Sequence, residues 1–502
     1  LLQKIKWKKS MRWAHHNLFW GRPLKSMMCL FDGSHLKYNF FHLKSSNKTF
    51  INKNDESKTV TFKNFASYKN YFLKFGIIVD DNERKLIIKK NIDKISKLKN
   101  FSSNINLKLL DEVANIVEKP KVILCTFDKK FLQIPNEIVK LTIEYHQKYF
   151  PVTDNRGNLL NYFFSVADKE DKFGFIKKGN EKVVAARLSD AEYFWKKNKS
   201  QSMLKRVSKL EKVNYFNGLG NYLDKTKRIK NLSSIISDEL LISKEKVELA
   251  STICKVDLMS DLVKEFPEMQ GVLGGYFAES QGFEKEVCLA ISEHYLPSGL
   301  NSRIPKNDFS IALSLSDKID TLVGFFGLNL VPSSSKDPYA LRRLTIGLIK
   351  LIIENKKIFK LKELIDHSCQ LYKNVSTKFD SKLVQKNLSI FIIERFKNYM
   401  KEKGIRQDII ESSSIDCDLN KIFIIFTKAN KLNKVIEKQI GMDLIENYKR
   451  ASNILNLEIN LKEGDYIGSA DPALFKNNFE KDLYKKIHDI RKDFTNINLE
   501  ND

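Results

Sequence analysis

From Asn180 onward the apolar residues of this chain recur every three to four positions, and this spacing constrains the fold more than any other feature. Val184, Leu188, Ala191 and Trp195 fall on one stripe; Ile229, Leu232, Ile236 and Leu240 fall on another. Such a stripe buries one face of a helix against a neighbour, so the second half is predicted to be a helical domain. Its clearest interruptions are Gly271 to Gly275, the Pro297 to Pro305 loop and the Pro332 to Pro338 loop. The first half reads differently. Residues 1 to about 75 mix short alternating or aromatic runs, such as Leu36 to Phe41 and Val60 to Phe62, with polar turn clusters such as Asn52 to Asp55. That is the pattern of strands and turns. Helical spacing begins at Tyr68, and Lys121 to Phe127 returns to a short strand. The expected fold is an α+β N-terminal region followed by a mainly α-helical domain. Helices continue past residue 400, the segment 459–502 is polar, and no internal repeat is present.

Charge narrows the partners. The 502 residues carry 86 Lys and Arg against 61 Asp and Glu, a formal net charge of +25. The excess is mostly lysine spread along the sequence, which suits a folded protein holding a polyanion, either nucleic acid or an anionic membrane. With 42% hydrophobic residues the chain can bury real cores, and at roughly 100 to 200 residues per domain it has room for two to four. Six cysteines (Cys29, Cys125, Cys254, Cys288, Cys369 and Cys417) lie far apart without a C-x-x-C. This argues against a zinc ribbon or a disulfide framework and for a reducing compartment. The longest uncharged stretch, Thr321 to Ser335, is broken by glycines, Pro332 and serines, and every apolar run falls short of the roughly 18 residues of a spanning helix. Residues 1 to 16 carry Lys4, Lys6, Lys8, Lys9 and Arg12 with no apolar core behind them, unlike a signal peptide. The chain reads as cytoplasmic. Position 1 is leucine and the first methionine is Met11, so processing or a longer reading frame is expected.

Several clusters bear on chemistry. Gly179-Asn180 reads as a turn dipeptide opening an amphipathic helix, on which Arg187 and Asp190, three apart, can pair. In Ser333 to Arg343, Asp337 precedes Pro338, an N-cap followed by proline at the first helical position. Free backbone N–H groups, three hydroxyls, Lys336, Arg342 and Arg343 then suit a phosphate, although a simple capped loop uses the same residues. Lys225, Lys227, Arg228 and Lys230 follow Gly218-Leu219-Gly220 as a phosphate-facing helix end; the glycines lack the third member and the leading strand of a dinucleotide fingerprint. Aromatic and basic residues interleave at Met11-Arg12-Trp13, at Phe19 to Pro23 around Arg22, and at His146 to Pro151 around Lys148. Such runs stack on bases and clamp phosphates, or fill a core. In the helix opened by Ser243, Asp257 sits within the apolar stripe of Val247, Ala250, Ile253, Cys254 and Leu258. His294 lies on the inner face of the helix carrying Val287 and Ile291, and Asp317 on a third helix. Asp257, His294 and Asp317 are thus the candidates for a hard metal between helices. The alternative makes the aspartates buried hydrogen-bonding groups and His294 a satisfied core histidine. No Walker loop, G-x-S-x-G elbow or H-E-x-x-H occurs.

One ordered string of motifs carries a resemblance. It runs through Met11-Arg12-Trp13 with Phe19 and Arg22-Pro23, Gln147 to Val152, and Gly179 to Val183 with Arg187 to Ala191. It continues through Leu219-Gly220 with Asp224 to Thr226, Lys255 with Asp257-Leu258, Gln270-Gly271, Asp317-Lys318 with Asp320 to Leu322, and Lys336 to Arg343. Together these resemble the beta subunit of the bacterial tetrameric glycyl-tRNA synthetase. The resemblance covers most of residues 11 to 460, with Lys449-Arg450 and Ser452 to Ile454 near its end. It implies an α2β2 ligase that joins glycine to tRNA(Gly) with ATP. The alpha subunit holds the aminoacylation site, and the beta subunit binds tRNA and is required for activity. No catalytic residue is expected in this chain. The tRNA-binding candidates are Arg12, Arg22, Lys148, Arg187, Lys225, Lys227, Arg228, Lys336, Arg342 and Arg343. The expected partners are the alpha subunit, tRNA(Gly) and a second beta subunit, with no membrane.

The resemblance also implies an N-terminal module similar to parts of the phenylalanyl-tRNA synthetase beta subunit, a helical HD-like domain and a C-terminal helical anticodon-binding domain. On it the chain divides into a strand-rich remnant of the first module (1–75), an α+β region of the synthetase beta type (76–200), a helical HD-like domain (201–400), and a helical segment (401–502) that stops before most of the anticodon-binding domain. The HD doublet position reads Val256-Asp257, so a ligand histidine is missing and no metal is expected. The alternative function is an HD-type metal-dependent phosphohydrolase, and a third reading is a generic RNA-binding protein.

Overall fold

A computed structural model describes residues 2–7, 9–49, 59–102, 105–333, 336–373, 379–415, 417–461 and 470–496. The turn expected at Asn52 to Asp55, and Ser334 and Ser335, lie outside these residues. The chain divides into two compact units, residues 1–351 with 363–385, and residues 352–362 with 386–502.

The first unit begins with short strands. Met27–Met28 pairs in parallel with Leu43–Ser46, which pairs on its other side with Asn39–Phe40. Lys48–Thr49 pairs with Val60–Thr61, and the helix Phe65–Lys74 follows, opened by a reciprocal cap between Asn64 and Ser67. A three-stranded antiparallel sheet comes next, with Leu159–Ala167 in the middle, flanked by Lys121–Thr126 and Phe150–Thr153. Successive strand residues point to opposite faces. Phe164, Phe150 and Val152 therefore pack with Ile88, Ile92, Leu109 and Val113 of the helices Asp81–Lys99 and Leu107–Ile116. Cys125 and Phe163 pack on the other face with Val184, Leu188 and Ala191 of the helix Phe175–Lys199. Each such buried aliphatic or aromatic side chain contributes about 1.5–3 kcal/mol.

That second core continues without a break into the helical region, as far as Leu313. The helices Tyr222–Leu240, Lys244–Ile253, Val272–Ser280, Lys285–Glu293 and Asp308–Gly327 build it. The stripe expected on the first of these is present: Ile229, Leu232 and Ile236 are fully buried. The 308–327 helix is buried over sixteen of its twenty residues, which makes it the central element of the unit. In the second unit, the Tyr399 hydroxyl and Lys403 Nζ both reach Glu354 Oε1 at 2.9 Å, and the helices Gln407–Ser413 and Ile422–Ile436 follow. Among the described residues no helix is long and apolar enough to cross a membrane.

Four local expectations are corrected. Gly179-Asn180 lies inside a helix that already starts at Phe175, because Asp171 takes the first free N–H groups, those of Ile176 and Lys177. Asn180 is held there by the Tyr149 hydroxyl and by Ser165, each at 3.0 Å. The helix opened by Ser243 ends at Ile253, and Asp257 sits in a separate short 3₁₀ turn, Val256–Met259. The helix expected at Pro338 starts at Leu341, since Ala340 adopts a left-handed φ of 57°. The interruption expected over Gly271 to Gly275 is confined to Gly271, which at φ 81° precedes a helix that contains Gly274 and Gly275. A β-carbon on Gly275 would stand 2.5 Å from Ser292 Cβ and 2.9 Å from the Cys288 carbonyl oxygen, so the glycine lets the 272–280 and 285–293 helices approach closely.

Gly275→Ala is therefore expected to destabilise the chain by about 1–3 kcal/mol from overpacking, after the roughly 1 kcal/mol that alanine gains in helix propensity. The urea midpoint checks this, and an unchanged midpoint would show that the two helices separate freely.

Candidate functional site

The helical core encloses a lattice of charged side chains that the apolar pattern did not announce. Asp317 and Asp320 project from the 308–327 helix, Lys225 and Arg228 from the 222–240 helix, and Lys255 from the link after the 244–253 helix; none is more than 6% exposed. Arg228 Nε donates to Asp320 Oδ1 at 2.6 Å, and its guanidinium lies over the Tyr372 ring at 4.1 Å. Lys225 Nζ donates to Asp320 Oδ2 at 3.0 Å and to Thr321 Oγ1 at 2.8 Å, and lies 2.9 Å from Asp317 Oδ1. Burial alone would push the Lys225 ammonium down, but Asp317, Tyr215 and Asp320 hold it well above the ordinary lysine value. Burial likewise opposes the charge on Asp317, yet Lys225 and Lys255 hold its carboxyl far below the usual range.

Lys255 Nζ sits between His294 Nε2 and Asp317 Oδ2, 2.9 Å from each. His294 Nδ1 faces the Ile291 carbonyl at 2.6 Å. A carbonyl only accepts, so the ring proton belongs on Nδ1 and the Nε2 lone pair receives the lysine. Burial first, and Lys255 second, push the His294 pKa down to about 3, so the ring is neutral. Asp257 takes no part in this lattice through a hydrogen bond to His294: its Oδ2 accepts the Gly271 N–H at 2.6 Å. Its Oδ1 meets no donor among the described residues, and burial pushes the carboxyl up to about 6. Of the three metal candidates, His294 and Asp317 converge on the Lys255 ammonium, which occupies the space between them, and Asp257 bonds elsewhere. The alternative reading, buried hydrogen-bonding groups with a satisfied histidine, describes the geometry.

The tRNA-binding candidates divide by burial. Lys225 and Arg228, 2% and 3% exposed, are committed to Asp320, and their burial corrects the expectation that they face a phosphate. Lys227, between them in sequence, is exposed, while Lys230 pairs with Glu248 at 3.0 Å. Arg12 and Arg22 are exposed. Lys148 is half-buried and pairs with Glu112 at 2.6 Å. Arg187 is exposed and reaches Glu265 at 3.8 Å rather than Asp190, at the edge of a cavity of about 250 Å³ shared with His146 and Phe266. Lys336 and Arg343 are exposed. Asp337 accepts from the N–H groups of Leu341 and Arg342 at 2.9 and 3.0 Å, and the Arg342 guanidinium donates to the Ser333 carbonyl. That helix start is therefore already occupied by a carboxylate, which leaves Lys336 and Arg343 as the outward charges of the segment.

Comparison with known proteins decides the family. The family model described as glycyl-tRNA synthetase beta subunit matches residues 1–414. The glycine–tRNA ligase beta subunit of Rickettsia canadensis (strain McKiel) is 35% identical over 491 residues, spanning 97% of this chain and 71% of that protein. That of Rickettsia bellii (strain OSU 85-389) is 36% identical, spanning 96% and 70%. The chain belongs to the glycyl-tRNA synthetase beta-subunit family. The phosphohydrolase alternative receives no support from these comparisons.

Within this beta subunit, the sequence reading missed the inward turn of Lys225, Arg228 and Lys255, although a signal was there. Lys225, Ile229, Leu232 and Ile236 share one stripe at spacings of four, three and four, and Lys255 follows the buried Ser251 by four. A cation on an apolar stripe needs a buried anion, and Asp317 and Asp320 supply it.

Two of the shifted groups in this region, His294 and Asp257, act oppositely on acid stability. For His294, the folded pKa of about 3 lies below the ordinary 6.5, so only the unfolded chain takes up a proton in that window and stability falls as pH drops through it. For Asp257, the folded pKa of about 6 lies above 3.8, so the native state alone keeps its proton there and acidification favours the fold. Asp257→Asn is accordingly expected to steepen the loss of stability between pH 6 and pH 4.5. Urea midpoints at the two pH values measure this; a shallower or unchanged slope contradicts it.

Proposed function

We propose that this chain is the tRNA-holding partner in a glycine–tRNA ligase, presenting tRNA(Gly) to a separate alpha subunit that attaches glycine using ATP. The observation that carries this reading is the family match over residues 1–414. The assembly is α2β2, with a second beta subunit, and it works in the cytoplasm. ATP is a substrate of the assembled enzyme, and the chain alone is not catalytic. The helical core is HD-like in arrangement and serves as a scaffold rather than a hydrolytic centre. The net charge of +25 supports a polyanionic partner, and the exposed Arg12, Arg22, Lys227, Lys336 and Arg343 are the side chains in position to meet one, with Lys148, Arg187 and Arg342 beside them already engaged by protein atoms.

The deciding experiment mixes the purified chain with the alpha subunit. Glycylation of tRNA(Gly) is expected from the mixture, and pyrophosphate exchange with glycine is expected to need the alpha subunit. Robust exchange by this chain alone would overturn the division of roles.

Binding of tRNA is expected to weaken steeply with salt, because each neutralised phosphate releases counterions. Reversing Lys336 and Arg343 to glutamate is expected to reduce the slope of log affinity against log salt by about 1 for each phosphate that is no longer neutralised. Reversing the exposed Lys89 and Lys90 is the comparison. Equal reductions from both pairs would show that the 336–343 segment makes no specific phosphate contact.

A further inference from the structure

The surroundings of the Lys255 side chain are those of a bound cation. Its ammonium has three protons to place. His294 Nε2 and Asp317 Oδ2 take up two directions at 2.9 Å, and the face of the Tyr295 ring lies 3.9 Å away on a third. The residue is 1% exposed, so these groups replace water around the charge. The histidine is fixed with its lone pair inward by the Ile291 carbonyl behind it, and the ammonium of Lys225 lies 2.9 Å from the other oxygen of Asp317, an ion-pair contact without a hydrogen bond. An imidazole nitrogen oriented by a backbone carbonyl and a buried carboxylate oxygen are also what a divalent ion of the zinc or cobalt type selects. The donors come from the end of one helix and the middle of another, and the lysine from the link after a third, so the occupant of this point ties three elements together.

We propose that Lys255 is a resident cation: its ammonium fills, from within the chain, a cation site formed by His294 and Asp317, and removal of its side chain uncovers a latent site for a divalent metal. The core is then held by a charge that cannot dissociate, and its integrity does not depend on metal supply. A metal draws its donors to about 2.0–2.2 Å, so His294 and Asp317 must close by under 1 Å each once the lysine stem is gone.

The test uses the full chain and its Lys255→Ala variant, with Lys255→Met as the variant that keeps the volume but not the charge. Thermal unfolding is followed with and without Co²⁺ or Zn²⁺, and with methylammonium. The expected result is a lower Tm for Lys255→Ala, raised by about 2 °C or more by Co²⁺ and partly restored by methylammonium, with the parent chain and Lys255→Met unresponsive. Adding His294→Ala to Lys255→Ala should abolish the metal response. A folded Lys255→Ala that ignores both cations, or a metal response that survives loss of His294, overturns the proposal. If Lys255→Ala does not fold, ¹⁵N-histidine spectra of the parent chain still decide: the Nδ1–H tautomer of His294 is required, and a proton on Nε2 overturns the inference because no ammonium could then donate there.

Discussion

Asp320 is the constraint on which the rest of the helical core depends. Its carboxylate is fully buried at the middle of the central helix and receives both Lys225 and Arg228. Its backbone carbonyl accepts the Tyr372 hydroxyl at 3.0 Å, an approach that Gly324 leaves open, because a β-carbon there would stand 2.5 Å from that oxygen. Taking an ion out of water costs several kcal/mol, and attraction between buried partners offsets this only in good geometry. The 222–240 helix therefore has one register against the 308–327 helix. A rotation by a single residue would swing the two cations through about 100° and leave three charges stranded.

This arrangement separates two uses of basic residues within one short segment. Lys225 and Arg228 hold the fold together, while Lys227 faces solvent between them. The same division recurs in the 336–343 segment, where Arg342 ties down the Ser333 carbonyl and Arg343 stays outside. The net charge of +25 already subtracts Asp317 and Asp320, and the cations that pair with them inside the core, Lys225, Arg228 and Lys255, are not among those a nucleic acid can meet.

Much of the architecture was legible because apolar spacing reports burial directly. The stripes through Val184 and Ile229, the strand at Lys121 to Thr126 and the inward placement of Asp257, His294 and Asp317 all follow from it. Boundaries failed where tertiary contacts override local preference. Asn180 stays helical because Tyr149 and Ser165 bind its side chain, and Pro338 does not open a helix because Asp337 caps from across a left-handed Ala340. The site was half legible. Three polar residues could be placed on inner faces, but what lies between two of them, His294 and Asp317, is Lys255, and lysine is read as a surface residue by default. Family membership came from motif order, which no single physical feature carries.

The most direct test of this account is a double-mutant cycle between Asp320→Ala and Arg228→Ala, read by urea unfolding. If Asp320 is the joint, either replacement alone strands buried charge, and the double variant should cost clearly less than the sum of the two, with a coupling of about 1–3 kcal/mol. Losses that add to within about 0.5 kcal/mol would contradict it, because the two side chains would then be independent and the register of the core would have to be set by apolar packing alone.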